Sequence, residues 1–215
     1  MEDPAGLADV QRRTLDRLKT EPLLSGFHLV GGSAIAWHLG HRVSLDLDLF
    51  STRPDVELEP IRERLVALGA EVITATPSVL RVRLDGELVD IVRYPYAPLD
   101  PLGVGASGFP VAGLRDLAAM KLAAIARRGI RRDFWDLHEI VTRGLPLEDV
   151  GEAYRLKFGT SENDLYQAAR ALTYFVDAEA ERVIPRGLEP EHWQRIKAFF
   201  EREAPALVRE HRQQH

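Results

Sequence analysis

Two aspartates, Asp46 and Asp48, alternate with leucines in the segment SLDLDLF. Successive side chains of a β-strand point to opposite faces, so the two carboxylates share one face and Leu45, Leu47 and Leu49 share the other. Two like charges on one face repel each other unless water or a cation lies between them. The pattern therefore predicts either a solvated strand face or a site for a cation.

A glycine turn, Gly31-Gly32-Ser33, precedes the first aspartate by twelve intervening residues. Glycine lets backbone N–H groups approach a ligand closely, and a helix N-terminus attracts anions such as phosphate. Ser33 could cap the helix or donate its hydroxyl to a phosphate oxygen. Such a turn alone is more often ordinary turn chemistry. The turn and the aspartates together favour a triphosphate held beside oxygen ligands suited to Mg²⁺.

Ser44 precedes the aspartates on their own face and is close enough in sequence to contact the metal or a phosphate. We therefore include it among the candidate nucleotide-binding residues.

Three longer segments share a resemblance to one enzyme family. The segment GGSAIAWHLGHRVSLDLDLF resembles the signature of nucleotidyltransferases with the DNA polymerase β-like fold, most closely the AbiEii-type branch known for toxins of type IV toxin–antitoxin systems. LRDLAAMKLAAIARRGIRRDFWDLHEI is similar to the helical motif of that branch, and ALTYFVDAEAERVIP to its C-terminal region. The resemblance covers roughly residues 25–200. It implies Mg²⁺ or Mn²⁺, an NTP as co-substrate, RNA (tRNA) as acceptor, a toxin role and a cognate antitoxin.

The polymerase-like arrangement has a third carboxylate on a neighbouring strand, and the candidate here is Asp90 in ELVDIVRY. An aspartate buried without a partner among apolar residues is costly, and a metal ion would compensate it. The alternative is that Asp90 lies at a solvated edge of the sheet.

Lys121 lies on an otherwise apolar stripe of a predicted helix, so it should either extend to solvent or meet an anion. The resemblance supports contact with the triphosphate across a cleft from the glycine turn. Asp133 and Asp136 share a face of the next helix. Their ordinary roles would be an N-cap for Asp133 and a favourable first-turn charge for Asp136. The resemblance implies instead that Asp136 acts as general base or orients Lys121, with Asp133 the less suitable choice.

The one dense basic cluster, RRGIRR, contains Arg128. It is either a solvated turn between helices or a contact to the nucleotide or an RNA backbone.

The composition bounds the class of protein. The chain has 215 residues, 45% hydrophobic content, no cysteine and a net charge of -5. These values argue against a disulfide framework and against a protein coated in basic residues, although a local basic patch is still compatible with them. No run approaches a membrane span, and the N-terminus lacks the apolar core of a signal peptide. We expect a cytoplasmic protein without membrane contact.

The pattern of elements predicts an α+β protein, in which a polymerase β-like nucleotidyltransferase domain (a mixed sheet with flanking helices) precedes a helical C-terminal domain. We predict domains at 1–98 and 110–215, the second completing the nucleotide cleft, with a Pro/Gly-rich passage between them. In the first domain, Asp85-Gly86 should form a hairpin turn. The predicted helices and strands of the first domain are helices 6–20, 33–39 and 58–68 and strands 71–76, 79–84 and 87–93. The predicted helices of the second are 113–128, 132–143, 147–157, 161–177 and 189–205.

These features predict metal-dependent transfer of a nucleotidyl group from an NTP to an acceptor hydroxyl. Asp46, Asp48 and, with less support, Asp90 would hold the metal. Two alternatives stay open: a nucleotidyltransferase acting on a protein or small molecule, and a catalytically idle module that binds nucleotide.

Overall fold

The computed structural model describes residues 6–209, and the side chains of Val208 and Arg209 are not described. Residues 1–5 and 210–215, the outer ends of the two predicted domains, lie outside the described residues. The chain forms two compact units, the first reaching to Gly113 and the second beginning at Leu114.

From residue 6 onward, where the structure describes it, the first unit combines three α-helices with one seven-stranded sheet. Its helices are α1 (Asp9–Lys19), α2 (Gly31–Leu39) and α3 (Leu58–Ala67). Its strands are β1 (His28–Val30), β2 (Asp46–Ser51), β3 (Glu71–Ala75), β4 (Val79–Leu84), β5 (Glu87–Arg93), β6 (Gly103–Val104) and β7 (Pro110–Val111). The strand order is β3-β4-β5-β2-β1-β7-β6.

The sheet is mixed because β2 runs parallel to β5 and antiparallel to β1. Its interior is aliphatic, with Leu47, Leu49, Val89 and Ile91 fully buried. The burial of these side chains fixes the register, since a slip by one residue would turn the aliphatic side chains toward water. The sheet therefore determines which side chains of β2 and β5 face the solvent side.

The hairpin predicted around Asp85-Gly86 is confirmed, with β4 and β5 paired from Leu84↔Glu87 onward. Asp85 and Gly86 both have positive φ, 54° and 87°. Two positive φ values are characteristic of the tight type I′ turn that matches the twist of a hairpin.

The last two strands come from the Pro/Gly-rich passage that the sequence predicts to separate the domains. Val111 in β7 pairs in parallel with Leu29 in β1, and β6 pairs with β7. Strands of two residues are too short for alternation to be visible in sequence.

The second unit is helical. Its helices are α4 (Leu114–Arg127), α5 (Arg131–Thr142), α6 (Leu147–Phe158), α7 (Glu162–Ala171), α8 (Val176–Ala180), α9 (Pro190–Glu203) and α10 (Ala206–Arg209). Lys157 and Asp116 form a fully buried ion pair, with Nζ 2.7 Å from Oδ1, that joins α6 to α4. The predicted α+β class, with a helical C-terminal part, is confirmed.

The single helix predicted over 161–177 is wrong, because the structure interrupts it between α7 and α8. Leu172 and Phe175 are both buried at this interruption. The Phe175 ring packs on Phe134 and Trp193, with centroids 5.2 Å and 5.9 Å away. Core packing of these side chains thus overrides a continuous helical pattern.

Across residues 6–209, we find no helix with both the length and the apolar character that a membrane crossing needs.

Candidate active site

The two aspartates of β2 lie on one face of the strand. Leu47, Leu49 and Ser51 are fully buried, whereas Asp46 and Asp48 are half-buried on the opposite face. The expected partner of the buried leucines, Leu45, is 65% exposed because it precedes the strand. The prediction for Leu45 is therefore wrong, and that for the aspartates is confirmed.

The glycine turn meets this face directly. β1 passes into α2 at Gly31, which has a φ of +66°. A Cβ atom at this position would lie 2.0 Å from Oδ2 of Asp48. Position 31 therefore requires glycine for two reasons: the backbone is left-handed, and the carboxylate of Asp48 occupies the space of a Cβ atom. The structure brings the two sequence motifs into contact.

Arg42 is a site residue that sequence reasoning missed. Its side chain is buried, and a Cβ at Gly32 would lie 2.4 Å from its Nη2. A guanidinium thus lies against the N-terminus of α2 and adds positive charge where an anion would bind. The available signal was a basic residue between the glycine turn and the two aspartates.

Ser33 and Ser44 are both buried, and their hydroxyls bond to backbone. Ser33 is not the N-cap of α2, which begins after Val30; its Oγ donates instead to the Val30 carbonyl at 3.2 Å. Ser44 Oγ donates to the Asp46 carbonyl at 3.2 Å and lies 3.5 Å from the Cβ position of Gly32. Ser44 thereby links the glycine turn to the first aspartate.

The third carboxylate, Asp90, is next to Asp48 on the neighbouring strand, because the two residues are partners in the β2–β5 register. Asp90 is buried, and β5 is flanked by β4 and β2. The solvated sheet edge considered from the sequence is therefore wrong.

Both carboxylate oxygens of Asp90 accept hydrogen bonds from Arg81 on β4. Arg81 Nε lies 2.6 Å from Oδ1 and Nη2 lies 2.5 Å from Oδ2. The hydrogen bonds and charge of Asp90, with smaller effects of Asp46 and Asp48, raise the pKa of Arg81 further above its ordinary value. A fixed positive charge therefore acts on all three carboxylates. Sequence reasoning missed Arg81, although counting across the Asp85-Gly86 turn pairs it with Asp90.

In the second unit, Lys121 on α4 is held by two aspartates of α5. Its Nζ lies 2.8 Å from Oδ1 of Asp133 and 2.8 Å from Oδ2 of Asp136. The lysine side chain is only 11% exposed and both aspartates are buried. Burial lowers the pKa of Lys121, but the charges of Asp136 and Asp133 outweigh it, and the net pKa is raised. Lys121 therefore stays charged inside the unit.

The structure excludes the N-cap role that the sequence allowed for Asp133. Asp133 is not the N-cap of α5, which is Ile130. Arg128 Nε lies 3.5 Å from Asp133 Oδ2, while its side chain is 64% exposed. Arg131 of the same basic cluster donates to the Glu181 carbonyl. The cluster is thus partly tied to the protein and partly presented to solvent.

A strand face with two aspartates, packed against a glycine turn at a helix N-terminus, agrees with the resemblance to nucleotidyltransferases. Comparisons with known proteins agree. The family model described as "Nucleotidyl transferase AbiEii toxin, Type IV TA system" matches residues 13–214. The chain belongs to this AbiEii family, and the resemblance inferred from the sequence is confirmed.

Relatives of known sequence or structure cover most of the chain. An uncharacterised protein of Aquifex aeolicus (strain VF5), aq_aa25, is 29% identical over 197 residues, which is 89% of this chain and 93% of that protein. MenT4, a nucleotidyltransferase toxin from Mycobacterium tuberculosis H37Rv, has a TM-score of 0.60 at 18% identity, over 94% of this chain and 85% of its own. JHP933 from Helicobacter pylori has a TM-score of 0.54 at 16% identity, over 96% and 97%. These two structures establish likeness of fold.

Proposed function

We propose that this protein transfers a nucleotidyl group from an NTP to a hydroxyl of RNA, with tRNA as the foremost candidate, and acts as the toxin of a toxin–antitoxin pair. The observation that carries the proposal is the contact between Gly31 and Asp48, which sets a helix N-terminus beside two aspartates. The family assignment supports the toxin role and the expectation of a cognate antitoxin.

Asp46 and Asp48 fit a divalent metal such as Mg²⁺ or Mn²⁺. Both are carboxylates, the ligands that these hard cations prefer, and both are half-buried on one strand face. The missing Cβ of Gly31 leaves room at Oδ2 of Asp48. When bound, the metal would neutralise charge on the phosphate oxygens and on the departing pyrophosphate.

The main role proposed for Asp90 is to hold the guanidinium of Arg81 in place. Both of its oxygens already accept hydrogen bonds from that guanidinium. Service as a third metal ligand would require Asp90 to release at least one of these bonds. Arg81 in turn reduces the repulsion among the three carboxylates.

The phosphates of the NTP would bind at the start of α2. The first N–H groups of a helix have no partners within the helix and carry its positive dipole end. Gly31, Gly32 and Ser33 supply these groups, and Arg42 adds a buried positive charge beside Gly32. Ser44, through its bond to the Asp46 carbonyl, would hold the aspartates in register with the turn.

Lys121, in the second unit, is proposed to take part as a buried charge held by Asp133 and Asp136. Asp136 is completely buried against it, which supports a role in orienting Lys121 over a role as general base. Asp133 shares that role. The exposed guanidinium of Arg128 suits contact with the nucleotide or the RNA backbone.

The deciding experiment supplies each NTP, labelled at its α-phosphate, with Mg²⁺ to total RNA and to total protein. The Asp46→Ala/Asp48→Ala variant is the test, and Asp55→Ala, which removes an exposed carboxylate of the same unit, is the control. Label on RNA that disappears only in the double variant supports the proposal.

The other outcomes separate the alternatives. Label found on protein or on a small molecule would show that this molecule, and not RNA, is the acceptor. Bound NTP without any transferred label would identify a module that holds nucleotide but does not use it.

A further inference from the structure

The second unit carries a group of metal-ligand residues far along the chain from the candidate active site. His138 and Glu139 are consecutive on α5, and His192 lies in the first turn of α9. One donor atom from each residue lies within 4.8 Å of the others. We propose that this His138–Glu139–His192 cluster binds a divalent first-row transition metal, with zinc as the representative ion. This inference is independent of the proposed function.

The distances suit such an ion. Oε1 of Glu139 lies 3.6 Å from Nδ1 of His138 and 3.6 Å from Nε2 of His192. Two ligands about 2.1 Å from a tetrahedral zinc ion are about 3.4 Å apart. Two edges of the site are therefore nearly formed, and the two imidazole donors, within 4.8 Å of each other, need to approach by no more than about 1.4 Å.

The carboxylate of Glu139 is already oriented. Its Oε2 accepts a hydrogen bond from Nε of Arg143 at 3.1 Å and lies 2.8 Å from Nη2 of the same residue, which is the C-cap of α5. This pairing turns Oε1 toward the two imidazoles. Metal-ligating carboxylates are commonly fixed by such a second hydrogen-bond partner.

The second, independent observation concerns Nδ1 of His138. This nitrogen is buried and has no hydrogen-bond partner among the described residues. Buried polar atoms in folded proteins are nearly always hydrogen-bonded, and Oε1 of Glu139, 3.6 Å away, is too distant for a hydrogen bond. Ligation by a metal would use its lone pair.

The surroundings favour an imidazole-binding ion over Mg²⁺ or Ca²⁺. Two of three donors are nitrogens, whereas Mg²⁺ and Ca²⁺ prefer all-oxygen sets. Aromatic rings form the walls, with Phe199 5.0 Å from the His138 ring and Trp135 5.7 Å from the His192 ring. His192 is 22% exposed, which leaves an entry path for the ion. Three protein ligands leave a fourth position for water.

An ion bound here would join α9 to α5, the helix that carries both aspartates of Lys121. Its expected effect is structural: it would stabilise the folded second unit. By mass action, zinc at about 100 times its dissociation constant should raise Tm by roughly 5–11 °C for a chain of this size.

The test uses the full-length Asp46→Ala/Asp48→Ala protein, so that the β2 carboxylates do not contribute. After treatment with a chelator, the protein is titrated with Co²⁺, whose visible absorption reports four-coordinate nitrogen and oxygen ligation. We expect one Co²⁺ per chain, displaced by Zn²⁺, and a rise in Tm with either ion. In that background, His138→Ala and His192→Ala should each weaken binding by at least about 100-fold.

The matched control is His41→Ala, which removes a histidine of the first unit and should leave the titration unchanged. Absence of the cobalt absorption, or its persistence in both cluster variants, would overturn the proposal. A stability gain that appears only on acidification, without metal, would overturn it in favour of protonated imidazoles on Glu139. If His138→Ala fails to fold, His192→Ala decides, since His192 is the most exposed member.

Discussion

At the scale of single residues, one glycine and one arginine determine the geometry of the candidate site. Gly31 gives Asp48 its space, and Arg81 holds Asp90 through both oxygens. Each residue can affect activity without contacting the acceptor, because each controls the position of a carboxylate. Substitutions at these two positions therefore test the site without removing its acids.

Gly31→Ala should abolish most of the transfer activity. The left-handed backbone costs an alanine about 1 kcal/mol, and the new Cβ displaces Oδ2 of Asp48. A displacement of about 1 Å in a catalytic group can reduce the rate about 100-fold. Label transfer under saturating NTP measures the effect.

Gly159→Ala is the matched control for this change. Gly159 has nearly the same φ, +60°, and nothing lies within 4 Å of its Cβ position. Equal losses of activity in both variants would mean that backbone strain, not the contact with Asp48, is responsible.

The Arg81–Asp90 pair should show energetic coupling. Arg81→Ala leaves a buried carboxylate beside two others, while Asp90→Asn leaves a guanidinium that is 45% exposed. We expect each single change to cost about 1–2 kcal/mol in unfolding free energy and the double change to cost less than their sum by about 1 kcal/mol. Urea unfolding of the four proteins measures the coupling.

Arg83→Ala, two residues further along β4, is the control and should change stability by no more than about 0.5 kcal/mol. Strict additivity of the Arg81 and Asp90 changes would contradict the pairing.

At the scale of elements, ion pairs in the second unit connect neighbouring helices. Lys121 joins α4 to α5, and Lys157 joins α6 to α4. Charges this deeply buried are stable only when paired, so the removal of one partner is more harmful than the removal of all of them.

Lys121→Met should lower the unfolding free energy by about 3–5 kcal/mol, because Asp133 and Asp136 lose the cation they share. Adding Asp133→Asn and Asp136→Asn should recover part of the loss, since the uncompensated charges disappear. Arg128→Ala, which removes an exposed partner of Asp133, should cost about 0.5 kcal/mol or less. A Lys121→Met protein as stable as the wild type would contradict the buried pairing.

The contacts of Lys121 with Asp133 and Asp136 also predict how stability depends on pH. The folded-state pKa of Lys121 is raised above the ordinary value of 10.5, so the folded protein holds this proton more tightly than the unfolded chain. The stabilisation is complete below the ordinary value and is lost as pH rises through the raised value. The stability gap between wild type and Lys121→Met should be constant from neutral pH to about pH 10 and narrow above it. A gap that narrows between neutral pH and about pH 9 would contradict this assignment.

At the scale of the whole molecule, the chain is acidic, yet its candidate phosphate contacts are locally basic. The net charge is -5, while the guanidinium of Arg42 is buried beside Gly32, where the phosphates are proposed to bind. Because Arg81 is paired with Asp90, it is Arg42 and the N-terminus of α2 that would attract the phosphates in the first unit.

The toxin role predicts that expression of the intact chain arrests bacterial growth. Asp46→Ala/Asp48→Ala should abolish the arrest at equal protein level, and Asp55→Ala should preserve it. Growth curves with immunoblotting give the measurement. Arrest by the double variant would show that the growth effect does not need these carboxylates.

The sequence by itself predicted much of the fold and the contact between two motifs. Alternation in SLDLDLF gave β2, the Asp85-Gly86 turn gave the hairpin, and apolar periodicity gave α4, α5, α6 and α9 within two residues at each end. These features depend on neighbours along the chain, which fix backbone conformation and exposed face locally. The domain boundaries, the NTP, the acceptor and the cytoplasmic location stay predictions.

Only the tertiary structure decided the partners of the charged residues. Arg42 against Gly32, Arg81 on Asp90 and Lys121 between two aspartates depend on register and helix packing. The interruption of the helix predicted over 161–177 likewise follows from burial of Phe175 among aromatic rings. The physical reason is common to all of them: a charge or ring is stabilised by what surrounds it in space, and residues distant in sequence supply those surroundings.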